Sequence, residues 1–328
     1  MCGAMQRKFI FVVVFFFALL GSGTGAEAAD VAAQSLLSAG RVDVAISDLR
    51  THLKRAPEDA QAYNLLCRAY YHVQQWDEAI SAGQKAVELD PGNSEYHLWL
   101  GRAYGEKAER ASWFAAIGLA KKVRKEFEQA VQLDGRSVGA RTDLAEFYSE
   151  APGFLGGGKD KARAQAQQIS AIDLAAGQQI QAMVAEKENN FAAAEDEYRS
   201  AIKISGNQAS YWLNLASFYR RRGRFSEMED AIRQASSAEV RRGDVYLDGA
   251  ELLYRAGRNF PAAAQLLRTY LASETKSENA PAFQAHYLLG NILEKQGDRR
   301  GAADEYRAAL ALAQEFSSAR QALARLNR

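Results

Sequence analysis

The sequence predicts an all-α solenoid of stacked antiparallel helix pairs, and three observations carry that expectation. After position 30 the helix formers Ala, Leu, Glu, Lys, Arg and Gln outnumber Val, Ile and Thr, and straight side chains lose little rotamer freedom in a helix. Only five of the 328 residues are proline. Apolar and small residues recur with a period of 34 residues, the mark of a repeat architecture. The charge is nearly balanced, 41 Lys and Arg against 40 Asp and Glu, and 48% of residues are hydrophobic. That composition excludes disorder, collagen and a strongly basic nucleic-acid binder.

Residues 1–28 stand apart. Arg7 and Lys8 precede the apolar run Phe9 to Leu20, and small residues follow with Ala26 and Ala28 at the end. This order predicts a secretory signal peptide, with Met5 as an alternative start and the mature chain beginning near Ala29. The expected location is therefore periplasmic or secreted. The run is shorter than the roughly 20 apolar residues a bilayer crossing needs, so no stable membrane anchor is expected after cleavage. Cleavage removes two cations and one anion, Arg7, Lys8 and Glu27, which takes the formal charge from +1 to zero. Cys2 leaves too, so Cys67 remains as the sole thiol and no internal disulfide forms.

The repeats occupy residues 29–316 in about eight units. In the clearest, residues 60–93, Tyr63, Leu66, Cys67 and Tyr70 mark one helix face, Ala79, Gly83 and Ala86 mark a second, and Pro91 ends it. A small residue at the middle of each stripe lets the two axes approach closely. The sixth unit carries Trp212, Leu215, Ala216, Tyr219, Met228, Ile232 and Ala235; the eighth carries His286, Leu289, Gly290, Leu293, Ala302, Tyr306 and Ala309. The fifth keeps Ala182, Ala194, Tyr198 and Ala201, and the seventh keeps Tyr246, Ala250, Leu253, Ala263 and Leu267. The first is weaker, with Ala33, Leu36, Ala45, Leu49 and Pro57. Residues 317–328 are predicted as a capping helix, with Ala319, Leu323 and Leu326 on one side and Arg320, Arg325 and Arg328 on the other.

This spacing of large, small and aromatic residues resembles the tetratricopeptide repeat, whose fold is a right-handed superhelix of helix pairs. Two units break the period between their first helix, A, and second helix, B, with insertions near 105–116 and 151–158. In the first insertion Trp113, Ile117, Ala120, Val123 and Phe127 share a face, which predicts a lengthened helix B. Both insertions leave from the same edge of the solenoid, so Trp113 or Phe114 is expected to pack against Phe154 or Leu155. The segments AERASWFAAIGLAKKVRKEFEQAV and LAEFYSEAPGFLGGGKDKA are similar to a group of predicted exported bacterial repeat proteins. That likeness implies a compartment and no chemistry.

Catalytic signals are weak. Gly153 to Lys159 fits the spacing G-x-x-x-x-G-K, yet Asp160 stands where a Mg²⁺-binding hydroxyl belongs, and Leu144 to Tyr148 before it reads as helix, not strand. A glycine-rich reversal is the simpler reading. The four histidines sit in different repeats with no metal-ligand spacing, and His97 and His286 hold the position of Tyr63 and Trp212, where a flat ring packs. Cys67 fills a small-residue slot and should be inert. Arg220, Arg221, Arg222 and Arg224 end a helix A, where cations favour the dipole. No catalytic residue, metal or cofactor is expected, and no nucleic acid.

The leading expectation is an exported scaffold that binds a peptide or helical element of a cell-envelope partner. One residue beyond the packing stripe of helix A runs a neighbouring stripe, which the resemblance places on the concave wall. It carries Asn64, Arg68, Tyr71, His72, Leu98 and Arg102, and Glu106, Glu146 and Glu150 follow. The terminal-carboxylate clamp of some relatives needs Lys and Asn residues that these positions do not reproduce. The alternative is a self-associating spacer using the edge formed by Trp113, Phe114, Phe154 and Leu155; a nucleotide-binding enzyme acting through the glycine-rich loop is the remaining reading.

Overall fold

The computed structural model describes residues 23–238, 243–274 and 276–326. The charged and apolar parts of the expected signal peptide, and Arg328 of the cap, lie outside the described residues. Eight helix pairs follow one another: α1 (Gly23–Ser38) with α2 (Val42–Leu53), α3 (Ala60–His72) with α4 (Trp76–Leu89), α5 (Ser94–Arg110) with α6 (Trp113–Leu133), and α7 (Val138–Glu150) with α8 (Lys159–Ser170). The chain continues with α9 (Leu174–Lys187) and α10 (Phe191–Ile204), α11 (Ala209–Arg221) and α12 (Phe225–Ser237), α13 (Asp244–Ala256) and α14 (Phe260–Ala272), and α15 (Ala282–Lys295) and α16 (Arg299–Leu312). The capping helix α17 (Ser317–Leu326) packs on α16. No helix among the described residues is long and apolar enough to cross a membrane.

Local chemistry explains where each helix begins and ends. Side chains of Asp59, Asn93, Ser137 and Asp173 accept backbone N–H bonds at the start of α3, α5, α7 and α9, satisfying donors that the first turn leaves open. Left-handed residues make the turn from A to B in six of the eight repeats: Gly40, Gln74, Asn189, Gly223, Gly257 with Asn259, and Gly297. A left-handed residue stops the helix and caps its last carbonyls. The third and fourth repeats lack this residue at that place because their insertions replace the turn.

Small residues set the packing of A on B. A Cβ added to Gly101 would lie 2.5 Å from the Phe127 ring, and one added to Gly290 would lie 2.5 Å from the ring of Tyr306. Cys67, as expected, is wholly buried, and burial pushes its thiol up to about 12.

The two ends of the solenoid meet, a feature that the sequence reading did not anticipate. Phe283 of α15, Phe316 before α17, and Ala309, Ala313 and Ala319 share one core with Leu37, Val42, Leu49 and Leu65 of the first two repeats. Gly40 lies so close to Ala282 that an added Cβ would sit 2.7 Å from its backbone nitrogen. Polar contacts flank this seam: the Gln314 N–H donates to Asp43 (2.6 Å), the Ser318 hydroxyl to Gln74 (2.9 Å), and the Gln284 amide to the His72 carbonyl (3.2 Å).

The insertions only partly match expectation. The first lengthens both helices of its pair instead of B alone: α5 has 17 residues and α6 has 21, against 12 to 14 in the other repeat helices after α1. A helical hairpin therefore projects from the solenoid. The second insertion forms a short 3-10 turn at Gly153–Leu155 that touches α6, with Arg124 donating to the Leu155 carbonyl at 3.2 Å. The insertions are neighbours, but the expected aromatic packing is absent: Trp113 is 66% exposed, Phe114 86% and Phe154 66%, and only Leu155 is buried. The reason is reach. Trp113 begins α6 eleven residues before Arg124, about 16 Å along the axis at 1.5 Å per residue.

Candidate functional site: the inner wall

Contacts run from one A helix to the next at α1–α3, α3–α5, α7–α9, α11–α13 and α13–α15, so the A helices crowd the inside of the curve. A ladder of polar pairs crosses that wall. Tyr71 donates to Glu106 (3.3 Å) between α3 and α5, and Arg102 to Asp143 (2.6 Å) between α5 and α7. Lys187 pairs with Glu150 (2.5 Å) between α9 and α7, and Arg221 donates to Glu186 from Nε and Nη2 (2.7 Å each) between α11 and α9. Partly exposed pairs of this kind are worth about 0–1 kcal/mol each, so the ladder patterns the wall with charge more than it stabilises it.

Beneath the ladder lies a 270 Å³ hollow lined by Glu146, Glu150, Gln179, Met183, Tyr198 and Arg221. Glu146 is exposed to water yet crowded by surrounding protein; that crowding and the neighbouring Asp143 push its carboxyl up to about 7, against the opposing pull of Arg102. A larger hollow of 510 Å³ opens among α10, α11 and α12, with Trp212, Ile202 and Asp230 in its lining and none of the expected groove residues.

At the α3–α5 end, aromatic rings form a box. Tyr71 meets His72, Trp76 and Trp99 edge-on at 5.5 to 5.6 Å between centroids, while Arg68 (5.2 Å) and Arg102 (4.8 Å) lie over the Trp99 ring. Neither tryptophan belongs to the expected groove stripe: Trp99 directly follows Leu98, and Trp76 opens α4 beyond the end of α3.

The structure corrects several expected groove residues. Tyr71 and Arg102 lie on the inner wall, each in one of the pairs that cross it. Asn64 and Leu98 do not present a free surface: Asn64 is 0% exposed, Leu98 is buried, and neither amide atom of Asn64 meets a protein partner. Arg68 and His72 are occupied. Glu278, on the connector before α15, takes two hydrogen bonds from Arg68, one of them 2.8 Å, and lies 3.2 Å from His72. Burial alone would raise the Glu278 carboxyl, but the bonds from His72 and Arg68 outweigh it and hold the group down to about 2.

The remaining sequence candidates have local duties. Amides of the glycine-rich loop bond to their own backbone: Gly156 to Gly153, Gly157 to Pro152 and Gly158 to Tyr148. Lys159 donates to the Lys187 carbonyl at 2.9 Å, away from any phosphate cradle. Each histidine meets a carboxylate, so His97 and His286 do more than pack as flat rings: His52 pairs with Asp59, His72 with Glu278, His97 with Glu126 and His286 with Glu305. The buried His97 ring is held above its ordinary range because its bonds to Glu126 and the Pro91 carbonyl outweigh desolvation. Arg221 and Arg224 are engaged by Glu186, Glu195 and Glu227, and Arg222 lies over the Phe191 ring, so the basic run serves the helix ends. No cluster of metal ligands occurs among the described residues.

Comparison with known proteins agrees with this architecture. Sequence profiles described as tetratricopeptide repeat match residues 31–94, 212–246 and 247–319. No curated protein matches the sequence. Among solved structures, yeast Tom70 aligns with a TM-score of 0.58 and 17% identity, over 97% of this chain and 66% of that one, so this chain spans just under two thirds of its length. A thermophilic TPR protein of Thermus thermophilus aligns with a TM-score of 0.47 and 18% identity, over 70% of this chain and 99% of that one.

Proposed function

The chain belongs to the tetratricopeptide-repeat family, and from that premise we propose that it is an exported, non-enzymatic scaffold whose inner wall receives a segment of a cell-envelope protein. The observation that carries the reading is the polar ladder across five successive A helices, with the hollow beneath it at Gln179 and Met183. Side chains fixed by pairing across repeats form a rigid, patterned surface, and a partner's segment binds such a surface without first ordering it. Export rests on the order of charged, apolar and small residues in positions 1–28.

A second reading has its own observation. Trp113 and Phe114 stand exposed at the tip of the projecting hairpin, and large apolar groups in water mark contact surfaces. This edge would serve self-association or a second protein. A photoreactive residue placed at Gln179 or at Phe114 in living cells separates the two. Adducts from Gln179 in the envelope fraction support the inner wall; adducts from Phe114 alone move the site to the edge, and recovery of full-length protein only in the cytoplasm refutes export.

A further inference from the structure

The connector between α14 and α15, residues 273–281, is longer than the corresponding links elsewhere: Tyr270 to His286 spans 16 residues where Ala86 to His97 spans 11. It is braced at its base. Lys276 donates to the carbonyls of Tyr270 (2.6 Å), Leu271 (3.0 Å) and Ser273 (2.5 Å) at the end of α14, and the Tyr270 hydroxyl reaches the Ala280 carbonyl. Its tip delivers Glu278, 9% exposed, to α3, some 210 residues away in sequence.

The receiving pocket is built like a recognition site. Arg68 presents its planar fork to the Glu278 carboxylate, the arrangement by which guanidinium selects a carboxylate over a point charge. Arg68 is itself steadied by Glu95 (2.9 Å) and by the Trp99 ring. One helical turn before Arg68, on the same stripe, Asn64 is wholly buried with both its N–H and C=O unpartnered. A side-chain amide offers one donor and one acceptor side by side, which is what an extended peptide backbone pairs with. The resident connector satisfies Arg68 and His72 and leaves Asn64 unmet, so it fits the pocket incompletely.

We propose that the pocket of Asn64, Arg68, His72 and Trp99 is a receptor for an acidic side chain on an extended peptide, that Glu278 fills it as a resident ligand, and that a partner enters by displacing the connector. This rests on the inner-wall reading and names its ligand. Exchange of one carboxylate for another costs little electrostatically, whereas simple departure of Glu278 would leave Arg68 buried without its partner. Opening is therefore coupled to ligand entry. The tether gives the resident a local concentration on the order of millimolar, and the incoming segment offsets that advantage by pairing with Asn64. The apolar seam around Phe283 and Phe316 does not depend on Glu278 and holds the ring while the tip exchanges.

The test uses a fluorescein-labelled peptide of residues 273–284 added to the full chain. Glu278→Ala and the gentler Glu278→Gln should each tighten its apparent Kd at least about 10-fold over wild type, because an occupied site lowers apparent affinity by the fraction that is free. The same peptide with Glu278 replaced by Ala should not bind, and adding Arg68→Ala to Glu278→Ala should abolish binding with helix content unchanged. Equal affinity of wild type and both variants, binding of the alanine peptide, or no binding anywhere would overturn the proposal. If Gln179 captures a partner while the peptide fails, the inner-wall reading survives alone; if the peptide binds as expected and Gln179 captures nothing, the receptor stands and the envelope-scaffold reading falls.

Discussion

Replacing Phe316 with alanine asks whether the two ends of the solenoid support each other. The ring is fully buried and meets Phe283 at 5.1 Å and Tyr287 at 5.2 Å, both edge-on. Truncating a buried phenylalanine costs about 3–5 kcal/mol through lost contact and the cavity left behind, and here no hydrogen bond is lost with it. In an open solenoid the damage would stay with neighbouring repeats, because stability there is a sum of repeat and nearest-neighbour contributions. Phe316 instead shares a core with Leu37, Val42 and Leu49. A loss of about 3 kcal/mol in the opening free energy of that core accelerates amide exchange more than about 100-fold, since about 1.4 kcal/mol is a factor of ten. Native-state exchange followed by mass spectrometry should show that acceleration in α2 and α3 as well as in α15 and α16, while Leu215→Ala in mid-solenoid leaves α2 and α3 unchanged. Acceleration confined to α15–α17 would refute the reasoning.

Three further outcomes follow from the geometry. Gly101→Ala places a methyl 2.5 Å from Phe127 and should cost about 1–3 kcal/mol in denaturant unfolding; an unchanged midpoint would mean that the pair has room to spread. The Glu146 carboxyl is raised from 4.5 to about 7 in the fold, so its ionised form is disfavoured and stability falls as pH rises through that window; Glu146→Gln should raise Tm at pH 8 and leave it unchanged at pH 4, and an equal rise at both would discount the carboxyl. Lys159→Ala removes one bond to the Lys187 carbonyl and should change stability by no more than about 1.5 kcal/mol, with Mg-ATP giving no thermal shift before or after; an ATP shift abolished by the substitution would restore the nucleotide-binding reading.

The parts of the fold that were legible in sequence are those written within one period. The stripe from Tyr63 to Tyr70 and the small slots at Cys67 and Gly290 are decided by neighbours within a helix pair. Closure is different in kind. It depends on curvature accumulated over eight repeats, to which each helix crossing adds a small angle that no single residue encodes. Nothing local links Arg68 to Glu278. The one available sign was the overlong link from Tyr270 to His286, a break in the period as informative as the two A-to-B insertions. The groove was half legible for the same reason: helical spacing placed Tyr71 and Arg102 on the wall, but whether Arg68 was free depended on a segment some 210 residues away. Trp113 shows the limit of reasoning from the edge alone. Its insertion leaves beside that of Phe154, yet rigid helix carries its tip out of reach.

The most direct test of the account is a distance across the closure. In a Cys2→Ser background, Gln74→Cys with Ser318→Cys places two thiols where side chains now meet at 2.9 Å, while Cys67 stays buried and unreactive. In an open stack six repeats would separate them, on the order of 60 Å at roughly 10 Å per repeat. A short bismaleimide should join the pair within one chain in high yield under native conditions, and the joined product should be lost when the protein is unfolded before reaction. Absence of that intramolecular product in the native protein, with both thiols shown to be reactive, would contradict a solenoid closed on itself.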